Sequence, residues 1–453
     1  MAKSSTLQEL HRENRHTLAL AFPIVAGLVG QMLMGLADTL MVGHVGTIPL
    51  AACGFANTLL SVPLVFGFGV LAGVSVNASH AFGAGKPHLA GESLRGGLAI
   101  ALVMGLLVAL AAHALLRSLP IFGQQPEVNS SAANYLLLCA WSMPAVFVTG
   151  TAKNFCEALA RPWPPFWIML GGVLLNVLLN WILIYGNLGA PAMGLDGAGL
   201  ATLLSRIAAM VAMLLYPALE SRLHAAWPVD WTAPGLMPEV KRLLGIGIHS
   251  GGLSLCEVTG FSFGSLMMGW LGVTELAAHQ IALTCAATTF MVPLGIGQAV
   301  SVRVGQARGA GRFGEIRTIV HGTLGMTLGI AGLFAAVYLT LGSWIAGCFT
   351  DDPAVKALTA QLLVLAGVFQ VFDGIQIASS GALRGFGDTK IPFLFGILAY
   401  WVVALPVSHL AAFHFGLGAS GIWIGFVVGL AVAAAALATR LLAKCSAHPE
   451  TPR

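Results

Sequence analysis

Forty-seven consecutive residues, 39–85, contain no Asp, Glu, Lys or Arg, and a second run of 49, residues 391–439, contains none either. Residues 162–195 and 318–350 are likewise uncharged. A helix needs about 20 apolar residues to cross a bilayer, so each of the two longest runs holds two passes and a turn. Transmembrane strands are about 10 residues long and alternate in polarity, which excludes a barrel for runs of this length. Composition agrees where it bears on the point. Only 9% of the 453 residues are charged and mean hydropathy is +0.85, against roughly 25% charged residues in a soluble domain. The solvent for most of this chain is lipid.

The apolar runs and the breakers between them place twelve transmembrane helices near 17–42, 50–80, 94–117, 131–155, 163–185, 194–219, 243–270, 276–303, 318–349, 355–383, 391–413 and 417–443. The longest polar connection carries Pro228, Pro234 and Pro238. It divides the chain into an N-terminal lobe (1–225), a linker (226–242) and a C-terminal lobe (243–453). Residues 1–16 are polar and the first apolar segment ends without a cleavage motif, so no cleavable signal peptide is expected. The seven cysteines are scattered without a C-x-x-C and read as buried apolar residues rather than disulfides or metal ligands.

Lysine and arginine fix the orientation, because cytoplasmic loops carry them in excess. On the twelve-helix reading, 19 of the 22 fall in the N-terminal tail, alternate loops and the C-terminal tail, from Lys3 to Arg453. Arg117 and Lys356 fall opposite, and Arg206 lies inside a helix. Such a bias requires an even number of spans with both termini cytoplasmic, in a multi-pass bacterial inner-membrane protein. The net charge of +4 is therefore a topology signal, and no nucleic-acid partner is expected.

The two halves repeat. LMVGHVGTIPLAA at 40–52 aligns at an offset of 226 with LMMGWLGVTELAA at 266–278, and GAGK at 83–86 meets GAGR at 309–312 at the same offset. GLDGAG at 194–199 resembles GLGASG at 416–421. Six helices separate the copies, so both start on one side and the repeat is parallel, an arrangement common in two-lobed transporters.

Three acids sit deep in apolar segments: Asp38 in the first helix, Glu257 in the seventh and Asp373 in the tenth. A carboxylate at mid-membrane costs about 2.5–3.5 kcal/mol on insertion scales. Such groups face a cavity, bind a cation or carry a proton. Gln370 and Gln376 flank Asp373 at i−3 and i+3 and share its helical face, and Ser254 lies one turn before Glu257. Carboxylate and amide oxygens suit Na⁺, and two coupled carboxylates equally make a proton site; the residues fit either. In the N-terminal half Asp38 is expected near Asn176 and Asn180, which share a face at i and i+4, with Thr202 as a further partner. Asn pairs of this kind also serve as interhelical glue.

Gln280 is placed to line a cavity, whereas His80, His113, His279 and His321 read as hydrogen-bonded structural residues. Intrahelical prolines such as Pro23, Pro63 and Pro293 allow bends. There is no Walker A sequence, no G-x-S-x-G and no H-E-x-x-H, so the chain is not read as an enzyme and ATP hydrolysis does not energise it by itself.

The segment 257–311, beginning EVTGFSFGSLMMGWLGVTELAAHQIALTC, closely resembles the corresponding region of the MATE family, NorM branch. ADTLMVGHVG at 37–46, NFCEALARPWP at 154–164, LLNVLLNW at 174–181 and QVFDGIQIASSGALRGFGDTK at 370–390 fit the same family. The resemblance implies two six-helix lobes around a V-shaped cavity, and efflux of drugs or toxic cations by antiport against Na⁺ or H⁺. It places Glu257 and Asp373 at the cation-site carboxylates of the C-terminal lobe, the metal ligands if the ion is Na⁺. Asp38 takes the acid of the first helix, with Asn176 and Asn180 beside it. Two departures stand out: Phe369 replaces a Tyr of some NorM proteins, and Asn180 replaces a second Asp of the DinF branch.

The leading expectation is a multidrug exporter of organic cations and amphipathic drugs, working as a monomer in the lipid bilayer. It needs no cofactor beyond the coupling ion. A lipid-linked oligosaccharide flippase of the same superfamily is the first alternative, disfavoured because a pyrophosphate cavity calls for more arginine than Arg206. A channel or membrane receptor is the second, disfavoured by the parallel repeat and the deep acids.

Overall fold

A computed structural model describes residues 2–228, 230–231 and 235–446, with side chains from residue 8 onward. Pro234 and Arg453 lie outside these residues, as does the Lys3 side chain. Twelve long helices follow one another: α1 (Ala2–Gly43), α2 (Thr47–Gly83), α3 (Pro87–Leu115), α4 (Pro126–Ala158), α5 (Trp163–Tyr185), α6 (Leu195–Leu219), α7 (Leu236–Leu271), α8 (Val273–Gly309), α9 (Phe313–Gly347), α10 (Pro353–Gly385), α11 (Lys390–His414) and α12 (Gly418–Ser446). No strand occurs among the described residues. Eleven of the helices are long and apolar enough to cross a membrane. The remaining one, α7, is as long at 36 residues, but Glu257, His249 and a series of serines and glycines dilute its apolar character. Several helices, α1, α3, α7 and α8 among them, run past an expected end by a turn or more. Apolar runs report only the hydrocarbon-embedded part, while the polar ends continue as helix into the interface.

The repeat is visible in the backbone. Gly85 and Gly311, 226 residues apart, close α2 and α8 with φ of 68° and 70°. In the two turns the Lys86 amide reaches the Ala81 carbonyl and the Arg312 amide reaches the Ala307 carbonyl, both at 2.9 Å. The left-handed residue must be glycine in this helix-ending motif, which is why GAG recurs before a basic residue.

The chain packs as two compact units. Ala26–Gly251 form one, and the residues up to Val25 together with those from Gly252 onward form the other. The units therefore cross the linear halves in the middle of α1 and of α7. In the first unit α4 packs against α2, α3 and α6; in the second α10 packs against α8, α9 and α12. Small residues let these central helices approach closely, as van der Waals packing in lipid favours. Gly105 of α3 meets the backbone at Pro144 of α4, and Gly381 of α10 meets the backbone at Gly297 of α8. A break at Ser142 divides α4, and α11 contains π-helical turns at Ile397–Ala404 and Leu410–His414.

Candidate cation-coupling site

In the second unit, Glu257 of α7 lies within electrostatic reach of Asp373 of α10. Asp373 is 2% exposed and its Oδ1 has no hydrogen-bond partner. Gln376, one turn on, is also buried with an unpartnered Oε1. Gln370 is held in place: its amide nitrogen donates to the Ala286 carbonyl at 2.9 Å and to Thr289 Oγ1 at 2.6 Å, leaving its own Oε1 free. The close α8–α10 contact at Gly297 and Gly381 carries Gln370, Asp373 and Gln376 inward as one face.

Tyr400 joins this cluster, with no charge or motif in the sequence to mark it. It sits in the π-helical stretch of α11, is buried, and directs its hydroxyl toward Glu257 without meeting hydrogen-bond geometry with any partner. Its ring lies against Gly260, where an added Cβ would stand 3.4 Å from the Tyr400 Cβ, and packs edge-on to Phe261 at 6.0 Å. Phe369 also packs against Phe261 at 5.7 Å and against Trp423 at 5.8 Å. Tyr400 thus brings a phenol oxygen toward Glu257 from α11. π-bulges favour functional sites because they rotate one residue out of the α register.

In the first unit the expected residues also come together. The Asn180 amide donates to Asp38 Oδ1 at 2.5 Å and to Asn176 Oδ1 at 3.2 Å. Asn176 in turn donates to Thr202 Oγ1 at 3.5 Å and to Ser205 Oγ at 3.4 Å. Ser205 extends a chain that sequence reading began with Thr202. Both asparagines are fully buried, and Asn180 Oδ1 is without a partner. Arg206 is within electrostatic reach of Asp38 but makes no ion pair with it, its guanidinium donating to Ser142 Oγ at 2.7 Å where α4 breaks.

Gln280 is exposed and takes no part in these clusters. His279 is fully buried; its Nδ1 accepts from Trp423 Nε1 at 3.2 Å and its Nε2 pairs with Ser265 Oγ at 2.9 Å. An indole N–H only donates, so this is a neutral imidazole with its proton on Nε2, as a structural histidine requires.

What separates the deep acids from the rest is their company. The two other buried carboxyls, Glu13 and Glu157, and the partly buried Asp388 each meet a cation. Glu13 meets Arg303, Glu157 meets Lys153 at 3.0 Å, and Asp388 meets Arg440 at 2.7 Å and Lys444 at 3.0 Å. Among the described residues Asp38, Glu257 and Asp373 have no such partner, and unpaired buried charge is costly.

Comparison with known proteins places this chain in a family. The MatE profile matches residues 23–182 and 252–410, once in each half. The chain is 37% identical to the probable multidrug resistance protein NorM of Bradyrhizobium diazoefficiens, over 94% of this chain and 92% of that protein. It is 37% identical to the same-named protein of Pseudomonas putida, over 97% of both, and 32% identical to the multidrug resistance protein MdtK of Pectobacterium atrosepticum, over 96% of both. Among solved structures, an outward-facing multidrug resistance MATE family transporter of the MOP superfamily superposes with a TM-score of 0.89 at 21% identity, covering 97% of each chain. The eukaryotic MATE transporter AtDTX14 superposes at 0.88 and 21% identity, covering 96% of each. With both repeats matched and near-complete coverage of its relatives, this multi-pass inner-membrane protein belongs to the MatE family.

Proposed function

We propose that this chain is a secondary active multidrug efflux transporter, exporting organic cations and amphipathic drugs by antiport with Na⁺ or H⁺. Glu257 and Asp373 are the coupling carboxylates, with Tyr400 and Gln376 contributing neutral oxygens. Asp38, backed by Asn180, Asn176 and Thr202, is the second cation-responsive group. The observation that carries this reading is that, among the described residues, Asp373 is the one buried carboxyl without a fixed cation, and that Glu257 and Asp38, both within apolar helix segments, have none either. A mobile cation or proton supplies that charge, and its arrival and departure change the electrostatics of the helices that carry it. The oxygen-only donor set suits Na⁺, and the facing carboxylates suit a proton equally well.

The test is efflux of a cationic dye from proteoliposomes under an imposed Na⁺ or pH gradient. Glu257→Gln and Asp373→Asn are each expected to abolish gradient-driven export while leaving the purified protein monodisperse with an unchanged unfolding temperature. Full export by both variants under either gradient overturns the assignment.

A further inference from the structure

The 226-residue repeat extends to contacts that no sequence block reveals. Glu13 of α1 is paired with Arg303 of α8, and Arg303 Nη1 also donates to the Glu13 carbonyl at 2.6 Å and to Thr17 Oγ1 at 2.7 Å. Adding 226 to Glu13 gives Glu239 of α7; subtracting it from Arg303 gives Asn77 of α2. Those two residues also bond, Asn77 Nδ2 to Glu239 Oε1 at 3.3 Å, with Ser93 Oγ of α3 donating to the same oxygen at 2.7 Å.

The packing around each pair repeats as well. Gly295 of α8 abuts Val25 of α1, and Gly69 of α2 abuts Gly251 of α7. Gly322 of α9 abuts Asn14, and Gly96 of α3 abuts Glu239 and Leu243. Even the crossings between compact units, after Val25 and after Gly251, are 226 residues apart. Each unit thus holds the first half of a helix whose second half belongs to the other unit, and a glutamate of that half-helix is the clamp.

We propose that Glu13–Arg303 and Glu239–Asn77–Ser93 are paired positioning clamps of the transport cycle. They fix the half-helices 8–25 and 236–251, and the α7 clamp is built to release first. Glu13 lies about 25 residues before Asp38, roughly 38 Å along a helix rising 1.5 Å per residue. It therefore lies toward the N-terminal, cytoplasmic end of α1, far along that helix from Asp38.

The asymmetry follows from the partner. Parting Glu13 from Arg303 strands a guanidinium whose side chain is 13% exposed, and an unpaired buried charge is strongly unfavourable. Parting Glu239 from Asn77 and Ser93 strands only neutral donors, and the carboxylate keeps a loose contact with the exposed Arg242 at 3.9 Å. The role in the cycle rests on the transporter reading, whereas the unequal strength of the clamps does not.

The two are separated by measuring amide hydrogen exchange on the full chain in lipid nanodiscs alongside dye efflux. In the wild type, residues 236–251 are expected to exchange at least tenfold faster than residues 8–25; equal rates overturn the proposal. Glu13→Gln is expected to speed exchange over 8–25 by tenfold or more, and Glu239→Gln to change 236–251 by less than threefold. Asn77→Arg copies the stronger clamp onto α2 and is expected to protect 236–251 at least tenfold, leave 8–25 unchanged and slow efflux. The exchanged pair Glu13→Arg with Arg303→Glu is expected to restore the protection lost in Glu13→Gln. Absence of added protection in Asn77→Arg refutes the clamp itself. Added protection with undiminished efflux refutes its part in the cycle and leaves the coupling assignment at Glu257 and Asp373 untouched.

Discussion

Asn180 presents its amide to Asp38 at 2.5 Å while its own carbonyl oxygen, buried beside the carboxylate, bonds to nothing. One residue thus steadies the anion and leaves an acceptor open next to it, as a site that receives a small cation needs. Replacing Asn180 with Leu removes both. A hydrogen bond to a charged group contributes roughly 1.5–3 kcal/mol, so the lower end alone implies about tenfold weaker response to the coupling ion. The check is the ion concentration giving half-maximal efflux from proteoliposomes. An unchanged value in Asn180→Leu reduces the residue to interhelical glue.

Much of this arrangement was legible from residue order, for a physical reason. An acid in an apolar run needs an explanation, so Asp38, Glu257 and Asp373 identify themselves. The i, i+4 spacing puts Asn176 and Asn180 on one helical face. Tyr400 was not legible. It stands in an uncharged run where tyrosine is unremarked, and the π-helical turn that aims it inward has no sequence signature. Nor were the half-helix exchanges at Val25 and Gly251 legible. The prolines of the linker mark where the chain is interrupted, not where its helices change packing partners.

Tyr400 gives a way to separate the two candidate ions. A phenol oxygen ligates Na⁺, whereas a proton needs only the carboxylates. Tyr400→Phe is therefore expected to raise the half-saturating Na⁺ concentration about tenfold, equivalent to roughly 1.4 kcal/mol, and to leave efflux under a pH gradient within twofold of wild type. Phe369→Tyr in the same background, restoring an oxygen one turn before Asp373, is expected to recover part of the Na⁺ response. Equal loss under both gradients would assign Tyr400 to packing against Gly260 and Phe261.

His279 supplies the contrasting case. Both ring nitrogens are engaged, by Trp423 and Ser265, so its role is to hold α7, α8 and α12 together. His279→Phe leaves the buried Trp423 N–H without an acceptor, a loss of about 1–3 kcal/mol. The unfolding temperature in detergent is expected to fall, while folded protein transports at close to the wild-type rate. Lost transport at an unchanged unfolding temperature would move His279 from the frame to the transport machinery.

Gly69 and Gly295 occupy matching places in the repeat but face different neighbours, and this yields a difference in stability. A methyl group at Gly69 meets the Gly251 backbone, which has nowhere to go without α2 and α7 moving apart. At Gly295 the nearest atom is a methyl of the Val25 side chain, and the backbone nitrogen stands farther off at 3.1 Å. A side chain yields by changing rotamer; a helix backbone does not. Overpacking of a tight core costs typically 1–3 kcal/mol, so Gly69→Ala is expected near the upper end and Gly295→Ala near the lower. Thermal unfolding of the two variants side by side reads the order. If Gly295→Ala proves the more damaging, the first half of α1 is held more rigidly than its side-chain contact indicates, and the ranking of the two half-helices by their clamps gains a second, independent cause.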